Sequence, residues 1–470
     1  MFDISKKQSL LLYLFIVFVG IITIWFQLNY DDFWLDEMSS FWISDPFISF
    51  EETIYRHKNF DWHNPLLFNL ILKEFLNFTG YDPSYARYLT LLFGSIVIIF
   101  FGILSREIKK DNSFLISTFL ASISIYIIKY SQELRPYSLL LMLSIINIYL
   151  YYKITNQFIV KKKINNFVII AFVVISTMNY STNPFSLIIL FSQITNSLSN
   201  FLFFKKKDKL FFFSLFPIIF FYFLLNFDYI LLQLNFNEYM LSSDIKNVID
   251  GLYFPRFFGS KIMGYLYLVT LLFLIFYHRK KIFFKKNKYL LLFIIFLFSY
   301  LVPLLYAFIK APVLHDRYIL FVLIPIILLI SCLSAEIESK KIKTSIIFVI
   351  LTSTLVNHYL EIFNREYKKP EFNNIIKEIS KSSHKDIVFY DKTMTSDFVY
   401  NYFKNLNPQI QEDFNIYQFK NELPNKLSSF WLLCYTPRVN FNCNISSTKS
   451  WKLAETKKKF LIEAKLFIKD

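Results

Sequence analysis

Two adjacent carboxylates, Asp36 and Glu37, stand just after the first long apolar run of the chain, in the segment FWLDEMSSFW at residues 33 to 42. Ionised groups beside a membrane span are costly unless they stay in water or take part in chemistry. Carboxylates supply acid and base chemistry and bind cations. The pair is therefore the first candidate for a working site.

The segment around the pair has helical periodicity. One face would carry Trp34, Leu35, Met38, Phe41 and Trp42, and the other Asp36, Glu37, Ser39 and Ser40. We predict an interfacial helix whose aromatic face rests on the membrane, with Asp31 or Asp32 as its N-cap. Periodicity also allows the alternative that the two acids are only the solvated side of this helix.

The composition is that of an integral membrane protein. Of 470 residues, 55% are hydrophobic and 20% aromatic, and only 7 are glycine. The formal charge of +16 would suggest nucleic acid as a partner, but the Lys and Arg residues cluster between apolar runs, which excludes that class. The three cysteines include no CxxC pair, so no zinc or redox motif is present.

About eleven apolar runs approach the roughly 20 residues that a membrane span needs. They cover residues 9–29, 84–104, 113–130, 137–153, 164–181, 184–203, 210–229, 262–278, 289–309, 317–335 and 344–362. The first lacks a cleavage site, so we interpret it as a span and not a signal peptide. Positive residues concentrate in alternate connections, which places the N-terminus in the cytoplasm and the C-terminal segment outside.

Two outer segments are too long to be simple connections: the loop at 30–83 and the tail at 363–470. The tail has one run with helical spacing (372–379) and three stretches typical of strands (386–390, 430–436 and 460–468). We therefore predict an all-α transmembrane domain at 1–362 and a small extracytoplasmic α/β domain at 363–470. Cys434 and Cys443 would lie in an oxidising compartment, as a disulfide or as two free thiols, and Cys332 would be a core residue.

Four further motifs fall at the outer side of this topology. They are DWHNPLLFN from residue 61, YDPSYARYLTLLFG from 81, YSQELRPYSL from 130 and HDRYILFVLIP from 315. With the acidic pair, they resemble the GT-C glycosyltransferases, specifically the protein mannosyltransferase-like and aminoarabinose transferase-like group that includes RgtA/B/C/D-like lipopolysaccharide sugar transferases. The chain departs from that pattern at Asn64, in place of a proline, and at NYSTNPF (179–185), which lacks a histidine many relatives carry. The sugar and the acceptor therefore stay unspecified.

The resemblance implies a GT-C fold in a bacterial inner membrane and a polyprenyl-phosphate-linked sugar donor. The acceptor would be a hydroxyl of a lipid, a glycan or a protein on the outer face. Asp36, matching the first acid of the family's pair, would be the general base, and Glu37 would orient a substrate or a cationic neighbour. Attack opposite the phosphate would invert the anomeric carbon.

Such a donor also needs cations for its phosphate. Arg135 is the first candidate, because a guanidinium at the membrane boundary binds phosphate oxygens in pairs. The other predicted substrate-binding residues are Arg87, Arg317, His63, Tyr137 and Tyr130. Each has the alternative role of an interfacial anchor.

We expect no cofactor. Asp31, Asp32, Asp36, Glu37 and His63 are able to gather around a divalent cation, but the arginines favour neutralisation by side chains. Two other functions are weighed against a glycosyltransferase. A transporter or lipid flippase usually places ionisable groups in mid-membrane and often has internal repeats, whereas the acidic pair here lies in an outer loop. A polysaccharide polymerase or ligase tends to carry its large outer loop late in the chain, whereas the loop at 30–83 follows the first span.

Overall fold

Long apolar helices make up most of the chain. The computed structural model describes residues 6–159, 166–204, 209–235, 253–279, 288–309, 315–390, 396–406, 414–418, 427–435 and 451–469. The helices are α1 (Lys6–Trp25), α2 (Leu35–Ile43), α3 (Phe50–Phe60), α4 (Leu67–Thr79), α5 (Pro83–Ile108), α6 (Ser113–Ser122), α7 (Ile125–Ser131), α8 (Tyr137–Ile159), α9 (Asn166–Tyr180), α10 (Leu187–Phe204), α11 (Lys209–Asn235), α12 (Tyr253–Arg256), α13 (Lys261–Tyr277), α14 (Leu290–Ile309), α15 (Leu323–Ala335), α16 (Lys340–Phe363), α17 (Phe372–Ile379) and α18 (Ser396–Asn405). Two 3-10 turns, at Pro184–Ser186 and Asp316–Val322, lead into α10 and α15.

Within the described ranges, eight helical segments are long and apolar enough to cross a membrane. A ninth forms if α6 and α7, which are bent by 54°, count as one span, and α9 and α13 are shorter apolar helices. Each predicted apolar run coincides with one of these segments. The predicted polytopic helical fold is therefore confirmed, and Cys332 is a buried free thiol on α15.

The crossing of α5 and α7 is unusually close. A Cβ built on Gly94 would lie 2.0 Å from Oγ and 2.6 Å from Cβ of Ser131. One turn earlier, the Thr90 hydroxyl donates a hydrogen bond to the Ser131 carbonyl at 3.0 Å. Small residues allow such approaches between membrane helices, and this one fixes where α7 ends.

The outer loop folds into α2, α3 and α4 before the chain re-enters the bundle at α5. Ser49 caps α3 by accepting a hydrogen bond from the Glu52 amide at 3.2 Å. Asp82 caps α5 by accepting from the Ser84 amide at 2.8 Å, with Pro83 in the first helical turn. Lys73 on α4 donates to the carbonyls of Asp45 and Ile48, at 2.6 and 2.8 Å, and so holds the link between α2 and α3.

Helix α2 forms where the periodicity predicts it, but two details of the prediction are wrong. Its apolar face packs on protein and not on a membrane, because Met38 and Phe41 are fully buried in a cluster with side chains of the C-terminal segment. Its N-cap is Trp34, whose amide donates to Glu37 at 3.3 Å. Asp31 and Asp32 are engaged elsewhere, by Arg365 and Asn373.

The C-terminal segment forms a five-stranded sheet of order β2-β1-β3-β5-β4. Its strands are β1 (Asp386–Tyr390), β2 (Asn415–Gln418), β3 (Ser429–Tyr435), β4 (Trp451–Lys459) and β5 (Ile462–Lys469). Strand β1 pairs in parallel with β2 and β3, and β5 pairs antiparallel with β3 and β4. The predicted helix and strands are confirmed, whereas α18, β2 and β4 were missed. The choice between a disulfide and two free thiols for Cys434 and Cys443 lies outside the described residues, since Cys443 falls in a gap.

The C-terminal segment packs directly on the outer loop. The ring of Tyr402 on α18 stacks on Phe33 at 4.8 Å, and its hydroxyl accepts a hydrogen bond from the Phe33 amide at 3.1 Å. The Tyr81 hydroxyl, two residues before α5 begins, donates to Asn401 at 2.7 Å. The division into a transmembrane domain (1–362) and a C-terminal domain (363–470) stays a prediction. One cluster of buried apolar side chains contains residues from both parts.

Candidate active site

The structure separates the two acids of the pair. Glu37 is completely buried, whereas 32% of the Asp36 side chain is exposed. Both lie in the first turn of α2. The two carboxylates therefore have different surroundings and different chemical capacities.

Glu37 is enclosed by five hydrogen-bond donors. Oε1 accepts from Arg87 Nε at 3.0 Å and from the Leu134 amide at 2.8 Å. Oε2 accepts from Arg87 Nη2 at 3.1 Å, Lys369 Nζ at 2.6 Å and the Trp34 amide at 3.3 Å. Burial alone would raise the pKa of Glu37, but Arg87 and Lys369 lower it to about 2. Glu37 is thus a fixed anion that joins α2, α5, the turn before α8 and the C-terminal segment.

Arg87, predicted to bind substrate, is also occupied by protein groups. Its side chain is 2% exposed, and the guanidinium donates to the carbonyls of Leu28, Asp31 and Asp32, at 3.2, 2.6 and 3.2 Å, in addition to Glu37. It also lies 4.7 Å from the Phe33 ring centroid. The arrangement gives Arg87 the role of a support behind Asp36.

Asp36 faces a different arginine, Arg317, at the start of the span that contains α15. Arg317 Nη1 lies 3.5 Å from Asp36 Oδ2, and 22% of the Arg317 side chain is exposed. Its Nε is buried without a hydrogen-bond partner among the described residues. Three aromatic rings, of Trp34, Tyr137 and Tyr318, surround the guanidinium at 5.5 to 5.8 Å.

Arg135 lies beneath this pair and is held by Asp61. Its Nη1 and Nη2 donate to the two carboxylate oxygens of Asp61, both at 3.1 Å. Nη1 also donates to Ser40 Oγ at 2.9 Å and to the Asp36 carbonyl at 3.1 Å. Both side chains are nearly buried. Sequence reasoning missed Asp61, although it stands two residues before His63 in the DWHNPL segment.

His63 lies on the exposed side of the same cluster. Its ring packs on Trp62 at 3.7 Å, and its carbonyl accepts a hydrogen bond from Tyr229 at 3.3 Å. Enclosure by neighbouring atoms lowers the pKa of His63. Asp61 and Asp36 oppose this effect, and Arg135 and Arg317 reinforce it. The imidazole is therefore a neutral donor or acceptor near neutral pH.

The two predicted tyrosines form the wall behind Arg317. Tyr130 and Tyr137 are 3% and 1% exposed and meet edge to face at 5.2 Å. Tyr126 extends the row, and its hydroxyl donates a short hydrogen bond to Asp316. Asp316 in turn accepts from the Arg317 amide at 2.8 Å. These tyrosines reach the site through Arg317, and their burial keeps them from the accessible side.

The cluster brings together most of the predicted residues. Arg135 links Asp61 to the Asp36 carbonyl, Asp36 faces Arg317, and the charges of these four groups all act on His63. Glu37 and Arg87 pair with each other on the buried side. Among the described residues, no group of three or more His, Cys, Asp or Glu side chains is placed to hold a metal ion. The absence of a cofactor stays a prediction.

No family model and no curated protein matches the chain. Two solved structures of the Archaeoglobus fulgidus oligosaccharyltransferase are similar to it. One, a complex with Zn and sulfate, is 10% identical with a TM-score of 0.43, and the match covers 77% of this chain and 51% of that one. The other, tethered to an acceptor peptide containing the NVT sequon, is 9% identical with a TM-score of 0.49 and coverages of 89% and 61%. The chain thus matches 51 to 61% of the length of that enzyme.

Proposed function

We propose that this protein is a membrane glycosyltransferase. It transfers a sugar from a polyprenyl-phosphate donor to a hydroxyl of a lipid, glycan or protein acceptor at the outer face of the membrane. One observation carries the proposal: of the two acids, Asp36 alone stays accessible, next to the partly exposed Arg317. A base and a phosphate-binding cation are the two groups this transfer needs.

The transfer is an in-line displacement at the anomeric carbon. The acceptor oxygen forms a bond to that carbon while the bond to the phosphate oxygen breaks. The acceptor hydroxyl gives its proton to the Asp36 carboxylate, and the polyprenyl phosphate leaves with the electron pair. Because the two oxygens occupy opposite faces of the sugar, the configuration inverts.

Arg317 takes the phosphate role that the sequence assigned first to Arg135. The guanidinium of Arg135 is committed to Asp61 and Ser40, so its charge is already balanced. The Arg317 guanidinium makes only a long hydrogen bond to Asp36, at 3.5 Å, and 22% of its side chain is exposed, against 5% for Arg135. A guanidinium with free donors binds phosphate oxygens in pairs, and His63 supplies a further hydrogen bond at the rim.

The remaining residues keep the base in place. Arg135 donates to the Asp36 carbonyl, and Glu37 fixes the first turn of α2 by accepting a hydrogen bond from the Trp34 amide. In this proposal the enzyme works without a metal ion, in a bacterial inner membrane. Its acidic pair and C-terminal domain lie on the outer side.

The test is sugar transfer by membranes that contain the protein, supplied with a panel of polyprenyl-phosphate sugars. Asp36→Asn keeps the size of the side chain and removes its basicity. Turnover should fall by roughly 10²- to 10⁴-fold, the usual contribution of a general base. Glu51→Gln, an exposed acid of the same outer loop, is the matched control and should behave as wild type.

The second arm tests the phosphate role. Arg317→Gln removes the accessible cation and should lower donor turnover by about 10²-fold or more. Arg279→Gln, an exposed arginine beyond the C-terminal end of α13, is its control. Consumption of no donor by the wild type, or wild-type turnover by Asp36→Asn, would refute the proposed function.

A further inference from the structure

A short connection after the last span crosses the outer loop at the acidic pair. This connection, residues 364 to 371 between α16 and α17, is called the strap. Arg365 donates to Asp31 Oδ2 and to Gln132 Oε1, both at 3.0 Å. The Arg365 carbonyl accepts from the Tyr30 hydroxyl at 2.9 Å, and the ring of Tyr367 stacks on that of Tyr30 at 4.7 Å.

Among the described residues of the strap, Lys369 has the only charged side chain that contacts the acidic pair Asp36 and Glu37. Its ammonium lies 2.6 Å from Glu37 Oε2, and its side chain is 17% exposed. Directly after the strap, the Asn373 amide donates to Asp32 at 2.8 Å. The strap and the first turn of α17 therefore contact Asp31, Asp32 and Glu37.

The contact to Glu37 reaches the reacting groups in one further step. Glu37 is the sequence neighbour of Asp36, and it accepts a hydrogen bond from the amide of Leu134, the neighbour of Arg135. Arg135 in turn donates to the Asp36 carbonyl. Glu37 therefore holds Asp36 in two ways, through the chain of α2 and through the turn that carries Arg135. Lys369 is one of the two cations bound to Glu37.

The charge balance explains why one cation is not enough. Glu133, a second carboxyl in the turn before α8, is 5% exposed, and Lys369 and Glu37 both act on its charge. Without Lys369, Arg87 would be the only cation bound to the Glu37 carboxylate. A buried carboxylate that loses a partner either moves or takes up a proton. Either change weakens the hydrogen bond that holds the Leu134 amide.

We infer that Lys369 is a positioning residue for the transfer reaction, acting through Glu37 on Asp36 and Arg135. This inference rests on the proposed function. It assigns the strap a part in catalysis without contact to either substrate. Donor binding at Arg317 and proton transfer at Asp36 stay chemically intact when Lys369 is replaced, but the base loses its alignment.

The experiment uses the full-length protein in membranes, with the donor that the wild type consumes. Lys369→Met should lower kcat by roughly 10- to 100-fold, the effect of a displacement of about 1 Å at the reacting groups. The donor KM should change by less than about threefold, because Lys369 makes no contact with the donor and its replacement leaves the donor-binding groups in place. Lys369→Arg should restore most of kcat. Lys368→Met is the matched control, because the neighbouring Lys368 side chain is 72% exposed, and it should equal wild type.

A double variant tells positioning from general damage. If Lys369 acts through Glu37, adding Lys369→Met to Glu37→Gln should lower kcat by less than about threefold further. Additive losses, or wild-type kcat in Lys369→Met, would overturn the inference while the proposed function stands. A wild type that transfers no sugar from any donor would overturn both. If Lys369→Met does not accumulate, Lys369→Gln carries the same comparison.

Discussion

At the scale of single residues, Asp36 and Glu37 differ in exposure because different segments pack against each carboxylate. The helical periodicity of residues 34 to 42 puts both acids on one face, and it cannot say which one another segment encloses. Glu37 is enclosed by Arg87 and by Lys369, whose position is 332 residues away in the sequence. Asp61 was predictable in kind, because it belongs to the motif that contains His63, but its pairing with Arg135 requires tertiary structure.

The pKa of Glu37 leads to a prediction about stability and pH. It is lowered from 4.5 to about 2, so the folded protein binds this proton more weakly than the unfolded chain. The stabilisation is complete above about pH 4.5 and is lost as the pH falls toward 2. Between about pH 6 and pH 3, the Tm of the wild type should therefore fall more steeply than that of Glu37→Gln, which has no proton to take up.

Thermal unfolding in detergent across this pH range is the measurement. Other carboxylates titrate in the same range, so the comparison of slopes decides and not the absolute Tm. Glu74→Gln removes an exposed acid of the same loop and should keep the wild-type slope. Equal slopes for wild type and Glu37→Gln would show that the Glu37 cluster contributes nothing to acid sensitivity.

At the scale of elements, the apolar runs predicted the membrane helices because spans have a minimum length and few charges. The same reasoning failed for α2. An apolar helix face predicts that the face is buried, but it does not predict whether protein or membrane covers it. Strand β4 was missed because its sequence, WKLAETKKK, is polar and mostly exposed at the sheet edge. Burial alternation shows only in its neighbour β5, which faces the core.

The crossing of α5 and α7 gives a prediction at this scale. Gly94→Val would force β-branched atoms into the position of the Ser131 side chain, and overpacking of this kind costs about 1–3 kcal/mol. Since α7 leads into the turn that carries Leu134 and Arg135, sugar transfer should fall along with Tm. Both are measured on the purified protein.

Leu92→Val is the control for this substitution. Leu92 lies on the same helix and is 50% exposed, so the change should alter neither Tm nor turnover appreciably. A Gly94→Val protein with wild-type Tm and turnover would mean that the two helices separate without cost to the site.

At the scale of the whole molecule, the fold class follows from composition, apolar runs and charge alternation. These features do not predict that the C-terminal segment packs on the first outer loop. Its helix and strands were predicted one by one from their periodicity. Their docking depends on a shared cluster of rings from distant positions, such as Phe33 and Tyr402. Single-segment patterns contain no information about such partners.

The position of Lys369 has a consequence for biosynthesis. The chain is made from its N-terminus, so Glu37 and Arg87 are inserted long before Lys369 exists. Until the last span has been threaded and the strap has emerged, the buried carboxylate has a single cation. A nascent or truncated chain that already contains Asp36, Arg135 and Arg317 is therefore still unaligned. If the proposed function holds, a chain that ends before Lys369 should transfer sugar no faster than Lys369→Met, so the full rate is reached only when the strap is in place.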